Sequence, residues 1–161
     1  MRAAPSTLVL THHPKGVRSI SIDPILRQVA DWAAETPDVM AVVLVGSHAR
    51  GTASTGSDVD LVFLCMDPGA LLRDISWIRI FGEVRTHAFE TWGDVAAVRV
   101  HYRDGMELEF GLAGLDWAAS RVNDGTAQVI RAGARVLLDR GLGMEARIQA
   151  ARDSLPSVNP T

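Results

Sequence analysis

An apolar run that ends in a glycine turn constrains this chain more than any other feature. Residues 39–45 are all apolar and mostly β-branched, which is typical of a strand covered on both faces. Gly46 follows, where the backbone can turn sharply or approach a ligand closely. Ser47 then stands at a position suited to a helix N-cap, where free N–H groups attract anions. The pattern predicts a central strand that ends in a small phosphate-binding turn.

Two carboxylates alternate with apolar residues in the next extended run. Asp58 and Asp60 are separated by Val59 and followed by Leu61. Strand side chains alternate with a period of two, so both carboxylates share one face with Cα atoms about 6.6 Å apart. Asp is depleted in strands, and a solvent-facing strand edge is the alternative explanation for the pair. Because like charges held this close repel, we favour a bound cation, and oxygen ligands of this kind suit Mg²⁺ or Mn²⁺.

Taken in order, these residues resemble the signature of the nucleotidyltransferase superfamily. That group contains DNA polymerase beta, antibiotic nucleotidyltransferases and the minimal nucleotidyltransferases of toxin–antitoxin systems. The matching segments are Gly46-Ser47, Arg50-Gly51 and residues 57–62. A narrower resemblance, to small bacterial nucleotidyltransferase-domain proteins, is carried by Trp92-Gly93, Asp104-Gly105 and residues 107–111. The resemblance implies an α/β (α+β) fold, in which a mixed β-sheet is flanked by helices.

The superfamily pattern also requires a third acidic residue on a neighbouring strand. After Asp104-Gly105, strand alternation places Glu107 and Glu109 on one face. We predict Glu109 as the third carboxylate because Leu108 and Phe110 flank it deeper in the run. Glu107 lies nearer the turn and remains the alternative.

The resemblance assigns roles to these residues. Asp58, Asp60 and Glu109 would be catalytic and would hold one or two Mg²⁺ (or Mn²⁺) ions, while the nucleotide would be bound by Gly46, Ser47, Arg50 and Ser57. The implied reaction moves a nucleoside monophosphate from an NTP, with ATP as the expected donor, to a hydroxyl acceptor and releases pyrophosphate. Arg50 has an equal alternative as a structural partner of Asp58 or of the loop 52–56, and a loop-stabilising role is favoured for Ser57.

Length and composition predict one domain over residues 1–161, which the resemblance makes a nucleotidyltransferase domain, with an irregular N-terminal arm at 1–22 and a flexible tail at 154–161. The chain is 47% hydrophobic and 22% charged, as expected for a globular domain of this size. Its net charge of −3 argues against a general nucleic-acid binder but allows a small charged substrate. Cys65 is the only cysteine, which excludes an internal disulfide and fits a reducing cytoplasm. No apolar run approaches membrane-spanning length.

The acceptor and the partners stay open at this stage. Antibiotic-modifying members generally carry an additional helical domain, and too little chain follows Ala113 for one of that kind. We therefore expect either that a second copy of the chain supplies the wall of the acceptor site, or that the acceptor is a macromolecule such as a partner protein or an RNA end. The acceptor itself, a small molecule or a protein or RNA, stays open, as does a homodimer or a partner protein. The alternative function is a nucleotide-binding regulatory or antitoxin-like module without turnover. A third hypothesis is an unrelated fold in which the acidic pairs are accidental.

Periodicity and turn residues predict the remaining elements. A first helix is expected to begin at Asp23-Pro24, with Asp23 as its N-cap. Three further helices are expected over residues 71–82, 127–132 and 144–151. The expected strands are 84–90, 95–102, 106–113 and 135–139, with a two-residue hairpin turn at Asp104-Gly105.

Overall fold

The computed structural model describes residues 21–117 and 124–154. The predicted arm and tail lie outside the described residues, apart from 21–22 and 154. The elements are α1 (Asp23–Ala34), β1 (Val39–Val45), α2 (Gly46–Arg50), β2 (Val59–Cys65), α3 (Pro68–Arg73), a 3₁₀ helix (Ser76–Phe81), β3 (Val84–Trp92), β4 (Val95–Tyr102), β5 (Glu107–Ala113), α4 (Asp124–Ala132), β6 (Ala134–Asp139) and α5 (Met144–Ser154).

The strands form one mixed six-stranded sheet in the order β3-β4-β5-β2-β1-β6. Of the strand pairs in the described chain, only β2 and β5 run parallel. A parallel pair needs a crossover connection, which here passes through α3, the 3₁₀ helix, β3 and β4. Since helices pack on both faces of this mixed sheet, the predicted fold class is confirmed.

Each face of the sheet has its own hydrophobic core. On one face, α1 and the 3₁₀ helix pack on alternate residues of the central strands, and the rings of Phe63, Trp77 and Phe110 lie 5.0–5.9 Å apart. On the opposite face, α4 and α5 contribute Ile130 and Ile148 to a second core with residues of β1 and β2. The side chains of the candidate site lie on this second face, beside the core and not within it.

The predicted single helix over 71–82 is wrong, because the chain forms two short helices with a break at Asp74-Ile75. Asp74 has an extended backbone, and its carboxylate accepts a hydrogen bond from the Ser76 amide at 3.0 Å. Asp side chains compete in this way with the helical hydrogen-bond ladder. Beyond the break, the indole of Trp77 donates to the Leu71 carbonyl at 3.0 Å, which folds the second segment back on the first.

Three local predictions also need correction. Asp23 is the first residue of α1, and Ile22 occupies the N-cap position. Ser47 lies inside α2, whose N-cap position is held by Val45 without a side-chain cap. The hairpin at Asp104-Gly105 is present, but three residues lie in the loop, because the Tyr102 amide donates to the Met106 carbonyl at 2.9 Å. Gly105 takes the positive φ of 93° that such loops require.

No helix in the described parts of the chain combines the length and the apolar character needed to cross a membrane.

Candidate active site

Three carboxylates meet where β2 and β5 lie side by side. Asp60 on β2 and Glu109 on β5 are directly opposite each other in the parallel register, so their side chains leave the same face of the sheet. Asp58 precedes β2 by one residue. One oxygen of each carboxylate lies within 4.8 Å of the others. Because the two strands are adjacent and in register, the hypothesis of an unrelated fold with accidental acidic pairs is excluded.

The close contact with Asp60 requires a glycine at position 46. It has a φ of 75°, and a Cβ atom placed on it would collide with the Asp60 carboxylate. Val45, the last residue of β1, lies opposite Asp60 in the strand register. Both the backbone conformation and the missing Cβ therefore allow the turn after β1 to lie directly against one carboxylate of the cluster.

Glu109 is the most buried member of the cluster. Its side chain is only 4% exposed, and its Oε1 atom is buried without accepting a hydrogen bond from any donor in the described chain. Burial, followed by the neighbouring carboxyls of Glu90 and Asp60, raises the pKa of Glu109 to about 8 against the opposing effect of Arg99. An orphaned buried carboxylate oxygen is costly unless a cation or a proton satisfies it.

The pKa of Asp60 is shifted in the same direction. Burial and then the Asp58 carboxylate raise the pKa of Asp60, while Glu109, Arg99 and His48 oppose the rise. The donor set consists of carboxylate oxygens alone, which suits a hard divalent cation such as Mg²⁺ or Mn²⁺. The three carboxylates therefore fit the divalent metal ion that the sequence implies.

Glu107, the alternative third carboxylate, is the first residue of β5 and is half-buried. Its Oε1 accepts a hydrogen bond from Arg99 at 3.0 Å and lies 3.7 Å from Nε2 of His101. In the strand register Glu107 faces His101. The structure thus places Glu109, and not Glu107, beside Asp60.

The residues predicted to bind the nucleotide lie in different environments. Ser47 is half-buried in α2, immediately after Gly46. Ser57 stabilises its own loop, because its Oγ accepts a hydrogen bond from the Ser54 amide at 2.9 Å. Arg50 is exposed, and its Nε donates to Oγ1 of Thr52 at 3.3 Å. Its side chain also lies where a Cβ on Gly133 would be 2.6 Å from Arg50 Cγ, so Arg50 contributes to the contact between α2 and α4.

Sequence reasoning missed two residues of this region. Nε2 of His48 donates to the Ser57 carbonyl at 3.2 Å, which ties α2 to the residue that precedes Asp58. Arg99 on β4 forms ion pairs with Glu90, Glu107 and Glu109 at 3.0–3.1 Å. The available signal was an arginine inside an otherwise largely apolar strand pattern, on the same strand face as His101.

Comparison with known proteins identifies the family. A family model described as streptomycin adenylyltransferase matches residues 21–161, whereas no curated protein sequence matches significantly. An aminoglycoside 6-adenyltransferase from Bacillus subtilis shares the fold with a TM-score of 0.50 and 16% identity over 62% of this chain. The chain spans only 37% of the length of that enzyme.

A structure of the GLD-2/RNP-8 complex also matches, with a TM-score of 0.44 and 17% identity over 66% of this chain and 37% of the matched one. The family match covers most of the chain and confirms the predicted superfamily, the nucleotidyltransferases. By its sequence from residue 21 onward, the chain belongs to the streptomycin adenylyltransferase family.

Proposed function

We propose that this protein is a Mg²⁺-dependent nucleotidyltransferase that moves a nucleoside monophosphate from ATP to a hydroxyl acceptor and releases pyrophosphate. Asp58, Asp60 and Glu109 hold the metal in this proposal and are the catalytic residues. Family membership supports nucleotidyl transfer in general, and ATP is the donor named by the word adenylyltransferase.

The observation that carries the proposal is the buried Oε1 atom of Glu109. It accepts no hydrogen bond within the described chain, although Asp58 and Asp60 each offer an oxygen within 4.8 Å of a Glu109 oxygen. A structural carboxylate in a core would be expected to have both oxygens satisfied. A cluster of three carboxylates with an unsatisfied oxygen is instead what a divalent-cation site requires.

In the reaction, the acceptor oxygen bonds to the α-phosphorus of ATP, and the bond from that phosphorus to the pyrophosphate oxygen breaks. Glu109 accepts the proton that the acceptor hydroxyl loses in this scheme. Gly46 and Ser47 lie next to Asp60 and contact the departing phosphates in this scheme. When bound, Mg²⁺ neutralises phosphate charge and stabilises the attacking and leaving oxygens.

The first acceptor to test is streptomycin, because the family carries its name. A protein or RNA acceptor and an acceptor site completed by a second copy or a partner protein remain predictions of the sequence. So does the cytoplasmic location. If none of these acceptors is modified, the regulatory alternative predicts NTP binding that survives Glu109→Gln without any turnover.

Isothermal titration of each NTP, with and without Mg²⁺, tests the donor side without knowledge of the acceptor. We expect ATP to bind only with Mg²⁺, and Asp58→Ala/Asp60→Ala to abolish that binding. Pyrophosphate release in the presence of streptomycin then tests transfer itself.

Asp31→Ala/Glu35→Ala is the matched control, because it removes two exposed carboxylates on or beside α1, which packs on the opposite face of the sheet. Its binding should equal that of the wild type. ATP binding that is indifferent to Mg²⁺ or unaffected by the Asp58/Asp60 double variant would contradict the proposal.

A further inference from the structure

We propose that Arg99 is a positioning residue, which holds Glu109 so that one of its carboxylate oxygens stays available as the third ligand of the divalent-cation site. This inference rests on the proposed function, because it concerns the same cluster of carboxylates. It adds a residue from β4 to a site whose ligands come from β2, from β5 and from the loop before β2.

The strand register brings Arg99 to Glu109. The two residues are directly opposite each other in the antiparallel β4–β5 pair, so they share a face of the sheet. Nη2 of Arg99 donates to Oε2 of Glu109 at 3.1 Å. The other oxygen, Oε1, is buried and accepts no hydrogen bond in the described chain. Arg99 therefore occupies one oxygen of Glu109 and leaves the other free.

The guanidinium is itself held from both sides. Nη1 donates to Oε1 of Glu107 on β5 at 3.0 Å, and Nη2 also donates to Oε2 of Glu90 on β3 at 3.3 Å. A guanidinium is a rigid fork with five donors, so contacts from two flanking strands fix its plane. Glu90 and Glu107 orient Arg99, and Arg99 in turn orients Glu109.

Without this contact Glu109 would have rotational freedom. The terminal torsion of a glutamate is broad and has no strong preferred angle. The Asp60 carboxyl on the adjacent strand already lies close to Glu109, and a carboxyl pair of this kind can share a proton in place of a metal ion when Glu109 is free to rotate. The hydrogen bond from Arg99 to Oε2 opposes that rotation.

Charge alone predicts the opposite effect on metal affinity. Nη1 of Arg99 lies 3.9 Å from Oδ2 of Asp58, so a positive charge stands close to a site for a divalent cation. Simple repulsion between the two cations weakens metal binding, and removal of the arginine would then strengthen it. Positioning predicts that removal of the arginine weakens binding. Loss of the positive charge also removes an interaction that lowers the pKa of Glu109, and protonation of that carboxyl would weaken metal binding as well. Arg99→Lys, which keeps the charge, therefore separates the two roles.

The experiment titrates Mn²⁺ alone into the metal-free protein and follows free Mn²⁺ by electron paramagnetic resonance. Arg99→Met removes the charge and the fork, and Arg99→Lys keeps the charge but cannot reach three carboxylates with one nitrogen. We expect both variants to bind Mn²⁺ about tenfold more weakly than the wild type, as is usual when a residue that orients a metal ligand is lost. Thermal unfolding verifies that each variant is folded, and Arg99→Lys serves if Arg99→Met is not.

Arg103→Met is the matched control, because Arg103 is an exposed arginine at the end of the same strand and is paired with Glu83 at 3.0 Å. It should bind Mn²⁺ like the wild type. In a Glu109→Gln background, the loss caused by Arg99→Met should disappear, since Arg99 acts through that carboxylate.

Two results would overturn this inference alone. One is an Arg99→Lys variant with wild-type affinity, which would show that charge is sufficient. The other is an Arg99→Met variant that binds Mn²⁺ as tightly as the wild type or more tightly, while Asp60→Asn still abolishes binding. Mn²⁺ binding by the wild type that is absent, or unaffected by Asp60→Asn, would overturn the proposed metal site and the role of Arg99 together.

Discussion

At Gly46, the addition of a single methyl group should impair ATP binding in a protein that still folds. In Gly46→Ala, the added Cβ would collide with the Asp60 carboxylate, and the φ of 75° would be strained for alanine. We expect Mg²⁺-dependent ATP binding to weaken by more than about tenfold, which is a loss of about 1.4 kcal/mol. Isothermal titration of ATP measures this effect.

Gly51 provides the control for the backbone strain. Its φ is 74°, nearly the same as that of Gly46, but a Cβ placed there meets no atom within 4 Å. Both alanine variants should therefore lose about 1–2 kcal/mol of stability from the left-handed backbone, and only Gly46→Ala should lose ATP affinity. Equal ATP affinity in the two variants would show that the contact between Gly46 and Asp60 is irrelevant to binding.

The buried carboxyl of Glu109 predicts how stability depends on pH in the absence of metal. Its pKa is raised from 4.5 to about 8, so between these values the folded protein holds a proton that the unfolded chain releases. The free energy of unfolding should therefore fall as pH rises through this window, by at most about 1.4 kcal/mol per pH unit. The loss should be complete above the folded pKa.

Urea unfolding of the metal-free protein across this pH range tests the prediction. Glu109→Gln should remove the fall, because glutamine does not titrate. Glu83→Gln, which changes an exposed glutamate paired only with Arg103 among described residues, should retain it. A stability that is flat over this range in the wild type would mean that Glu109 is ionised in the folded protein without metal.

At the same scale, the sequence predicted the three clustered carboxylates but not the arginine that contacts them. Asp58, Asp60 and Glu109 could be selected because carboxylates interrupt apolar strand patterns and because their spacing resembles a known signature. Arg99 stands on a strand that carries no motif. Its contacts with Glu90, Glu107 and Glu109 depend on which strands become neighbours, and strand order cannot be derived from local periodicity.

Among the elements, α5 depends on a cap that lies outside the helix. The Asp139 carboxylate, at the end of β6, accepts hydrogen bonds from the Leu142 and Met144 amides at 2.7 Å each. We expect Asp139→Ala to lower the free energy of unfolding by about 1–2 kcal/mol, the usual loss when a helix start is left uncapped. Urea unfolding measures this loss.

Asp153→Ala is the comparison variant for α5. Asp153 is exposed near the other end of the helix and accepts a hydrogen bond from Gln149 at 2.9 Å, a surface contact worth only a few tenths of a kcal/mol. Neither variant should change Mn²⁺ affinity, because α5 contributes no ligand. A loss of the same size in both would show that general helix propensity, and not the cap, stabilises α5.

Predictability also differs from element to element. The strands β1 and β4 could be assigned to the residue because their apolar runs are bounded by turn residues. The segment 71–82 could not, since its apolar positions are compatible with one helix and the break depends on the Asp74 side chain capturing the Ser76 amide. The contact between Trp77 and the Leu71 carbonyl then favours the bent form, and a contact of this kind does not appear in a hydrophobic pattern.

For the whole molecule, the mixed sheet could be predicted from the resemblance, but its strand order could not. The order places β5 beside β2 and leaves β3 at an edge, where most of its residues are exposed. The two helices of the second face, α4 and α5, cover the β1 side of the sheet. Among the described residues, neither of these helices covers the face of β3 and β4 near Arg99, next to the carboxylates.

The parallel pairing of β2 with β5 has a consequence for the order in which the protein folds. A segment that contains only β1, α2 and β2 carries Asp58 and Asp60 but lacks Glu109, which joins them only when β5 pairs with β2. The three carboxylates therefore come together only after this long-range pairing of the sheet has formed. Cellular Mg²⁺ that binds this set would stabilise the finished chain over every partly folded form, so the cofactor of the reaction would also drive the last step of folding.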